Sequence, residues 1–194
     1  MIVHPIPPVF DQNSRILILG SFPSVKSRAE GFFYGHPQNR FWKLLASVFE
    51  EAVPRSIEDK KAFLLRNHIA LWDVIQSCEI EGSSDSSIRN VTANDLNVIL
   101  HAAEIQSIFV NGKTALKYFQ KYAKPTVGRA AICLPSTSPA NAAWDLERLT
   151  QAWRTIRNSQ LNDASVDCSD DAKGSIRANG QLFQKAPGFG DSAV

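Results

Sequence analysis

The chain has 194 residues, and the first things to read in it are absences. It has 3 cysteines, Cys78, Cys133 and Cys168, an odd number with no C-x2-C pair among them. That pattern excludes a disulfide framework and a cysteine-built zinc or iron–sulfur centre, and it fits a reducing, cytoplasmic location. No metal is expected. Long hydrophobic runs are missing as well. The run Ile16-Leu17-Ile18-Leu19 falls far short of the ~20 apolar residues that span a bilayer, so no membrane association is expected. The N-terminus, Met1-Ile2-Val3-His4-Pro5-Ile6-Pro7-Pro8, carries prolines where an export signal needs an apolar helix. An excess of one charge is also lacking: Lys plus Arg number 21 and Asp plus Glu 19, for a net charge of +2. That balance excludes a polycation and an acidic solvating chain. Neither G-x-G-x-x-G nor G-x4-G-K-[ST] occurs, so the common dinucleotide and triphosphate cradles are excluded, and no cofactor is expected.

What is present describes one globular domain with an appendage. Hydrophobic residues make up 44% and charged residues 21%, ordinary for a folded protein. From Ser159 to Val194 the large apolar residues thin out to Leu161, Leu182, Phe183 and Phe189 among Asp, Ser, Gly, Asn and Ala. A segment this poor in apolar surface cannot offset its ordering entropy, so residues 159–194 are expected to be a disordered tail. Residues 1–158 are the expected domain, mildly basic and without internal repeats.

Along that domain, strand and helix signals alternate. Arg15 to Gly20 is an apolar run ending on glycine, as in a strand buried on both faces. Phe41, Leu44, Leu45, Val48 and Phe49 fall on one helical face. Ser56-Ile57-Glu58-Asp59 resembles a capping box and opens a helix to about Arg66. Ile69–Ile75 reads as the second strand, Leu96, Ile99 and Leu100 as a short helix, and Gln106–Asn111 as the third strand. Lys113–Tyr122 reads as a helix, Ala130–Leu134 as the fourth strand, and the stripe Leu146, Leu149, Trp153 and Ile156 as the last helix. Strands separated by helices predict a three-layer α/β/α domain with a central four-stranded parallel sheet.

In such a sheet, ligands bind beyond the carboxyl ends of the strands. The residues there are Gly20-Ser21-Phe22-Pro23-Ser24, Tyr34 to Arg40, Asp73, Asn111, and Leu134 to Asn141. Ser138 before Pro139 fits a helix N-cap with proline at the first helical position, which would leave backbone N–H groups free for a phosphate. The alternative is a plain capped turn.

Three segments together carry a resemblance: Gly20–Ser24, the block Phe33-Tyr34-Gly35-His36-Pro37-Gln38-Asn39-Arg40-Phe41-Trp42, and Leu134-Pro135-Ser136-Thr137-Ser138-Pro139. They are similar to the motifs of the uracil-DNA glycosylase superfamily. With Leu71-Trp72-Asp73-Val74-Ile75 and Gly82-Ser83-Ser84-Asp85, the set most resembles the hypoxanthine-DNA glycosylase branch. The resemblance runs from about His4 to Ile156. It implies a monomeric, cofactor-free DNA glycosylase that flips a deaminated base, hypoxanthine or uracil, out of single- or double-stranded DNA and hydrolyses its glycosidic bond. It also implies Asn39 as the catalytic residue. Two positions depart from the superfamily pattern: Phe22 replaces the usual water-orienting Asp or Asn, and Leu134 replaces a His or Asn. An inactive relative that only binds damaged DNA is therefore the competing expectation.

The chemistry suits the same residues. A glycosidic bond breaks through a sugar of oxocarbenium character while the base departs with negative charge. A neutral amide such as Asn39 can orient water or hydrogen-bond the leaving base, or it can simply cap the helix that follows. A flipped base is read by aromatic stacking and by hydrogen bonds to its edge. Tyr34 is the leading stacking ring, with Phe22 and Phe33 next, although all three also suit a core. Ser21, Asp73 and Asn111 are the expected contacts to the base, with turn-capping as the plainer role for Asp73. Ser24, Ser136, Thr137, Ser138 and Pro139 are the expected DNA-backbone and intercalation residues. His36 reads as structural, and His4, His68 and His101 have no partner motif. Lys113, Lys117, Lys121 and Lys124 recur at helical spacing as a solvated face that adds general phosphate attraction.

Overall fold

The computed structural model describes residues 1–164, with side chains through residue 159. The chain opens with β1 (Ile2–Val3) and β2 (Ile16–Gly20), followed by the helices α1 (Val25–Glu30), α2 (Phe41–Phe49) and α3 (Ile57–Arg66). β3 (Ile69–Asp73), β4 (Ile75–Glu79) and β5 (Arg89–Ala93) then lead to α4 (Asn97–Leu100). Next come β6 (Ser107–Asn111), α5 (Lys113–Tyr118), α6 (Lys124–Val127) and β7 (Ile132–Leu134). α7 (Leu146–Trp153) and α8 (Thr155–Ala164) close the described chain.

The central sheet has 4 strands in the order β3-β2-β6-β7, all parallel. β2 lies in the middle and is buried along its whole length. Its alternation sends Ile16 and Ile18 to one face and Leu17 and Leu19 to the other. On the first face sit Phe41, Leu44 and Leu45 of α2, Phe63 of α3, and Leu149 and Trp153 of α7. On the second sit Ile99 of α4, Ala115 of α5 and Phe119 just beyond it. Burial of each such large side chain stabilises by ~1.5–3 kcal/mol, and the two clusters make the fold an α/β/α sandwich. At α3 the capping box is present: Ser56 Oγ accepts from Asp59 N, and Asp59 accepts from Ser56 N.

Several elements differ from the sequence reading. The strand expected over Ile69–Ile75 is two strands, divided at Val74. β4 leaves the parallel sheet and pairs antiparallel with β1 and β5 in a second, 3-stranded sheet. β1 is only 2 residues long and β5 (Arg89-Asn90-Val91-Thr92-Ala93) is largely exposed, so neither has an apolar run to announce it. The helix from Lys113 loosens into a π-type turn over Phe119–Ala123 before α6. The last helical stripe is broken at Arg154 into α7 and α8. α8 crosses the boundary expected at residue 158, and the segment from 165 onward lies outside the described residues. No helix starts at Pro139; Ser138 to Asn141 is a turn closed by Asn141 N donating to Ser138 O, and the next helix begins at Leu146 under an Asp145 cap. Among the described residues, no helix is long and apolar enough to cross a membrane.

Candidate active site

A cavity of about 470 Å³ opens at the carboxyl ends of β2, β3 and β6. Every residue singled out from the sequence borders it: Ser21, Phe22, Ser24, Tyr34, Asn39, Asp73, Asn111, Ser136, Thr137, Ser138 and Pro139. These residues come from five separate segments: four lie at or just after the ends of β2, β3, β6 and β7, where parallel topology gathers them, and residues 34–39 lie between α1 and α2.

Asn39 sits just before α2, and its environment fixes which way its amide points. Phe41 N donates to Asn39 Oδ1 at 3.0 Å, so that atom must be the oxygen. Thr137 N donates to Asn111 Oδ1 at 3.0 Å, which makes Asn111 Nδ2 a donor; it donates to Thr137 Oγ1 at 2.9 Å. Having accepted there, the Thr137 hydroxyl donates onward to Asn39 Oδ1 at 3.0 Å. Thr137 is fully buried. Both acceptor positions of the Asn39 oxygen are therefore filled, and what Asn39 offers the cavity is its NH2. The N-cap position of α2 is Arg40, with no side-chain cap, so Asn39 stands one residue before the capping position foreseen for it; it accepts from Phe41 N, and its NH2 makes no hydrogen bond among the described residues.

The loop carrying Thr137 is held by Arg40, which sequence reasoning passed over. Its backbone N–H and its Nε both donate to Thr137 O, and its Nη2 donates to Ser138 O at 2.5 Å and Asn141 O at 3.1 Å. Its Nη1 reaches Trp144 O. One planar guanidinium thus collects the carbonyls of Thr137, Ser138, Asn141 and Trp144 in the irregular stretch between β7 and α7. Gly112 lets that stretch approach β6: its φ is +93°, and a Cβ there would lie 2.8 Å from Ser136 Cβ. Within the loop, Ser138 N donates to Ser136 Oγ and Ala140 N to Ser138 Oγ. These N–H groups are internally used, whereas the helix reading had left them free. Pro139 and Ala140 are exposed at the rim.

A second polar group reaches the cavity through Asp73. Ile6 N donates to His4 Nδ1 at 3.1 Å, so the ring proton is on Nε2, which donates to Asp73 Oδ2 at 2.8 Å. His4, read as partnerless, is paired with Asp73 across 69 positions of sequence, and both side chains are almost wholly buried. Asp73 Oδ1 accepts no hydrogen bond among the described residues. It lies against the Cα of Gly20, where a Cβ would come within 2.0 Å of it.

Tyr34 joins this group with its hydroxyl. The ring stacks on Phe41 with centroids 3.8 Å apart, and the backbone is left-handed at φ 54°. The hydroxyl is buried with no hydrogen-bond partner among the described residues. Burial raises its pKa, and the charge of Asp73 raises it further; Asn111 is close enough to oppose this slightly without making a well-formed hydrogen bond. One face of the Tyr34 ring is thus occupied by Phe41. Phe22 also lines the cavity, edge-on to His4 at 5.8 Å and with the Arg28 guanidinium 5.6 Å over its ring. Leu134 is buried in the core and does not line the cavity.

The remaining wall comes from the segment between β4 and β5. Ile80 and Ser83–Ser86 border the cavity, and Ser21 Oγ donates to Asp85 Oδ1 over a long 3.4 Å. Removal of water from around the Asp85 carboxyl raises its pKa; hydrogen bonds from Thr114 and Ser21 oppose the shift, and the charge of Asp73 adds to it. Asp85 was legible only as part of a short motif. Ser24 caps α1 by accepting from Ser27 N at 3.2 Å.

With this geometry in view, comparison with known proteins becomes specific. A family model described as the uracil DNA glycosylase superfamily matches residues 7–159. The chain belongs to that superfamily. Its class of enzyme is the DNA N-glycosylases. A relative from Methanosarcina acetivorans, named a hypoxanthine DNA glycosylase, is 34% identical over 161 residues, covering 80% of this chain and 98% of its own. One of the same name from Methanosarcina barkeri is 37% identical over 114 residues, 58% of this chain and 72% of its own. A solution NMR structure from Methanosarcina acetivorans, described there as a candidate uracil DNA glycosylase, superposes with a TM-score of 0.67 at 33% identity. It covers 81% of this chain and 99% of that one. The α/β/α fold and the four-stranded parallel sheet match that neighbour.

Proposed function

We propose that this glycosylase removes hypoxanthine from deoxyinosine in DNA, by hydrolysis and with the nucleotide rotated out of the stack into the cavity. Two relatives named hypoxanthine DNA glycosylases support the substrate. The cavity volume of about 470 Å³ lies within the ~300–1,000 Å³ of small-molecule sites, so a bicyclic purine fits by volume. Uracil, being smaller, is the second substrate to test.

The observation that carries the mechanism is the saturated oxygen of Asn39. An amide that oriented water as an acceptor would need that oxygen, and Phe41 and Thr137 already occupy it. The available NH2 instead suits the departing base: as the glycosidic bond lengthens, negative charge collects on the base and strengthens a hydrogen bond from Asn39 Nδ2. That is stabilisation present mainly in the transition state. Phe22 places an apolar ring where other members orient water, consistent with catalysis that leans on the leaving group. Ser24, Ser136, Ser138 and Pro139 at the rim are the groups that meet the DNA, and flipping costs a few kcal/mol that their contacts must offset.

An abasic-site assay on oligonucleotides containing deoxyinosine, deoxyuridine or neither tests the reading. Release from deoxyinosine is the expected result, and binding to the lesion without cleavage would replace the enzyme with a damage-binding relative. Asn39→Ala should lower the single-turnover rate by about 10²-fold and leave lesion binding in place. A loss of melting temperature with an unchanged rate would reduce Asn39 to its structural hydrogen bonds with Phe41 N and Thr137 Oγ1.

A further inference from the structure

We propose that Asp85 is a catalytic residue of the hydrolysis, the base that holds the attacking water and takes its proton. The inference rests on the glycosylase reading and adds to it the group that works on the nucleophile, where Asn39 works on the leaving base.

Hydrolysis needs a water with a lone pair free for C1′ of the sugar, so an acceptor must hold that water through its protons. Among the side chains that border the cavity, three could take a proton from it near neutrality: His36, Asp73 and Asp85. Their hydrogen bonds separate them. Gln38 N donates to His36 Nδ1 at 3.2 Å, so the neutral ring carries its proton on Nε2, which is then a donor. The Asp73 side chain is almost wholly buried and gives Oδ2 to His4. Its Oδ1 lies so close to Gly20 that a Cβ there would come within 2.0 Å. Asp85 differs from both. A carboxylate has about four acceptor sites, and hydrogen bonds from Ser21 and Thr114 use two of those of Asp85. The residue is exposed at the rim, so it can draw water from bulk solvent and return a proton there.

Its place is fixed by several elements. Ser21 follows β2, and Thr114 stands in the first turn of α5. The segment that carries Asp85 is tied to α1: Val25 N donates to Ser83 Oγ at 3.0 Å, and Arg28 Nη2 donates to Gly82 O at 3.4 Å. Arg28 Nη1 also donates to Pro23 O, in the loop after β2, at 2.6 Å. A base held in this way needs little reorganisation when water arrives. The titratable groups within its field are Asp73 and, from α5, Tyr118. Loss of water around the carboxyl raises the Asp85 pKa, Thr114 and Ser21 oppose the shift, and Asp73 adds to it. The rise moves the group towards the pH at which a general base works best.

In the step, a lone pair of the water oxygen forms the bond to C1′ as the C1′–N9 bond breaks, and the bonding pair of that bond leaves with the base. Asp85 takes one water proton, and the other stays on the new C1′ hydroxyl. The base departs as an anion against the Asn39 NH2 and takes a proton from solvent. Asp85 gives its own proton back to solvent, which restores the carboxylate.

Single-turnover release from a deoxyinosine duplex, at saturating enzyme and across pH, tests the assignment. Wild type should lose rate on the acid side through an ionisation above the ~4 of an ordinary carboxylate. Asp85→Asn keeps the shape and should lower the plateau rate by about 10²-fold. It should also abolish the acid limb and leave lesion binding and melting temperature unchanged. Thr114→Val removes a hydrogen bond that favours the charged carboxylate, so its acid limb should move to higher pH. A purely structural role would show as lost melting temperature or lost lesion binding, with the acid limb intact in the rate that remains. An acid limb that survives Asp85→Asn or ignores Thr114→Val, or an Asp85→Asn rate within a few-fold of wild type, would overturn the inference and leave the glycosylase reading standing. Failure of wild type to release any base would overturn the reading and the inference with it.

Discussion

Thr137 is a small residue in a run of small polar residues, and its neighbours in sequence give no hint of what it touches. In the folded chain its backbone N–H and hydroxyl bind both ends of the Asn111 amide, and the hydroxyl then fixes Asn39. The direction of every proton in that chain follows from the two backbone N–H groups that terminate it. Thr137→Val keeps the shape and removes the hydroxyl, leaving Asn39 Oδ1 with one donor and its NH2 free to swing. A displacement of an ångström at a reacting group can cost ~10²-fold, and that is the loss of single-turnover rate expected here. Thr137→Ser retains the hydroxyl and should recover most of it. Equal rates for Val and Ser would sever Thr137 from catalysis. The place of Asn39 on the cavity was legible, because it stands in a ten-residue motif block just before a helix. His4 was not: its meaning depends on Asp73, and a pair formed across 69 residues leaves no local trace.

Elements were legible where the local chemistry was self-contained. At α3 the Ser56–Asp59 box and the apolar residues that follow name the helix start, and the structure has it there. Ser56→Ala should cost about 1 kcal/mol. The backbone and side-chain hydrogen bonds from Ser56 lower the Asp59 pKa below its ordinary value. A group lowered in the folded state stabilises above its unfolded pKa of about 4 and loses that contribution as pH falls through the folded value. Urea melts of wild type and Ser56→Ala should therefore differ most near neutrality and converge as the pH drops below about 4. A difference that stays constant to low pH would detach Asp59 from the cap. Elements failed to show where a long-range partner decides. Ser138-Pro139 has the local form of a helix start, but Arg40, 98 residues earlier in the chain, takes the Ser138 carbonyl that a helix would need for its own ladder. Ile69–Ile75 is one apolar run, yet Val74 N donates to Gly20 O and Ile75 N to Ser21 O, which turns the chain out of the parallel sheet towards β1.

At the scale of the whole molecule, parallel topology sets both where the chemistry lies and how far the surface charges are from it. β2, β3 and β6 all point their carboxyl ends at the cavity, and each following segment starts there. The helix after β6 must run back towards the opposite edge for β7 to start parallel. Lys113, at the first turn of α5, thus stands near the mouth. Lys124, at the start of α6, is on the order of 15 Å farther along at 1.5 Å per residue. Both are exposed, and the sequence shows them as equal members of one stripe. The net charge of +2 provides no general field to blur the difference. If the duplex docks at the mouth, Lys113 neutralises a phosphate and Lys124 does not. Lys113→Ala should then weaken binding to damaged and undamaged duplexes evenly, because a phosphate contact carries no base identity. It should also reduce the magnitude of the slope of log affinity against log salt by about 0.9. Lys124→Ala should leave both affinity and slope unchanged. Equal effects from the two substitutions would place the DNA along the flank of α5 and away from the mouth, and the rim residues would lose their assignment.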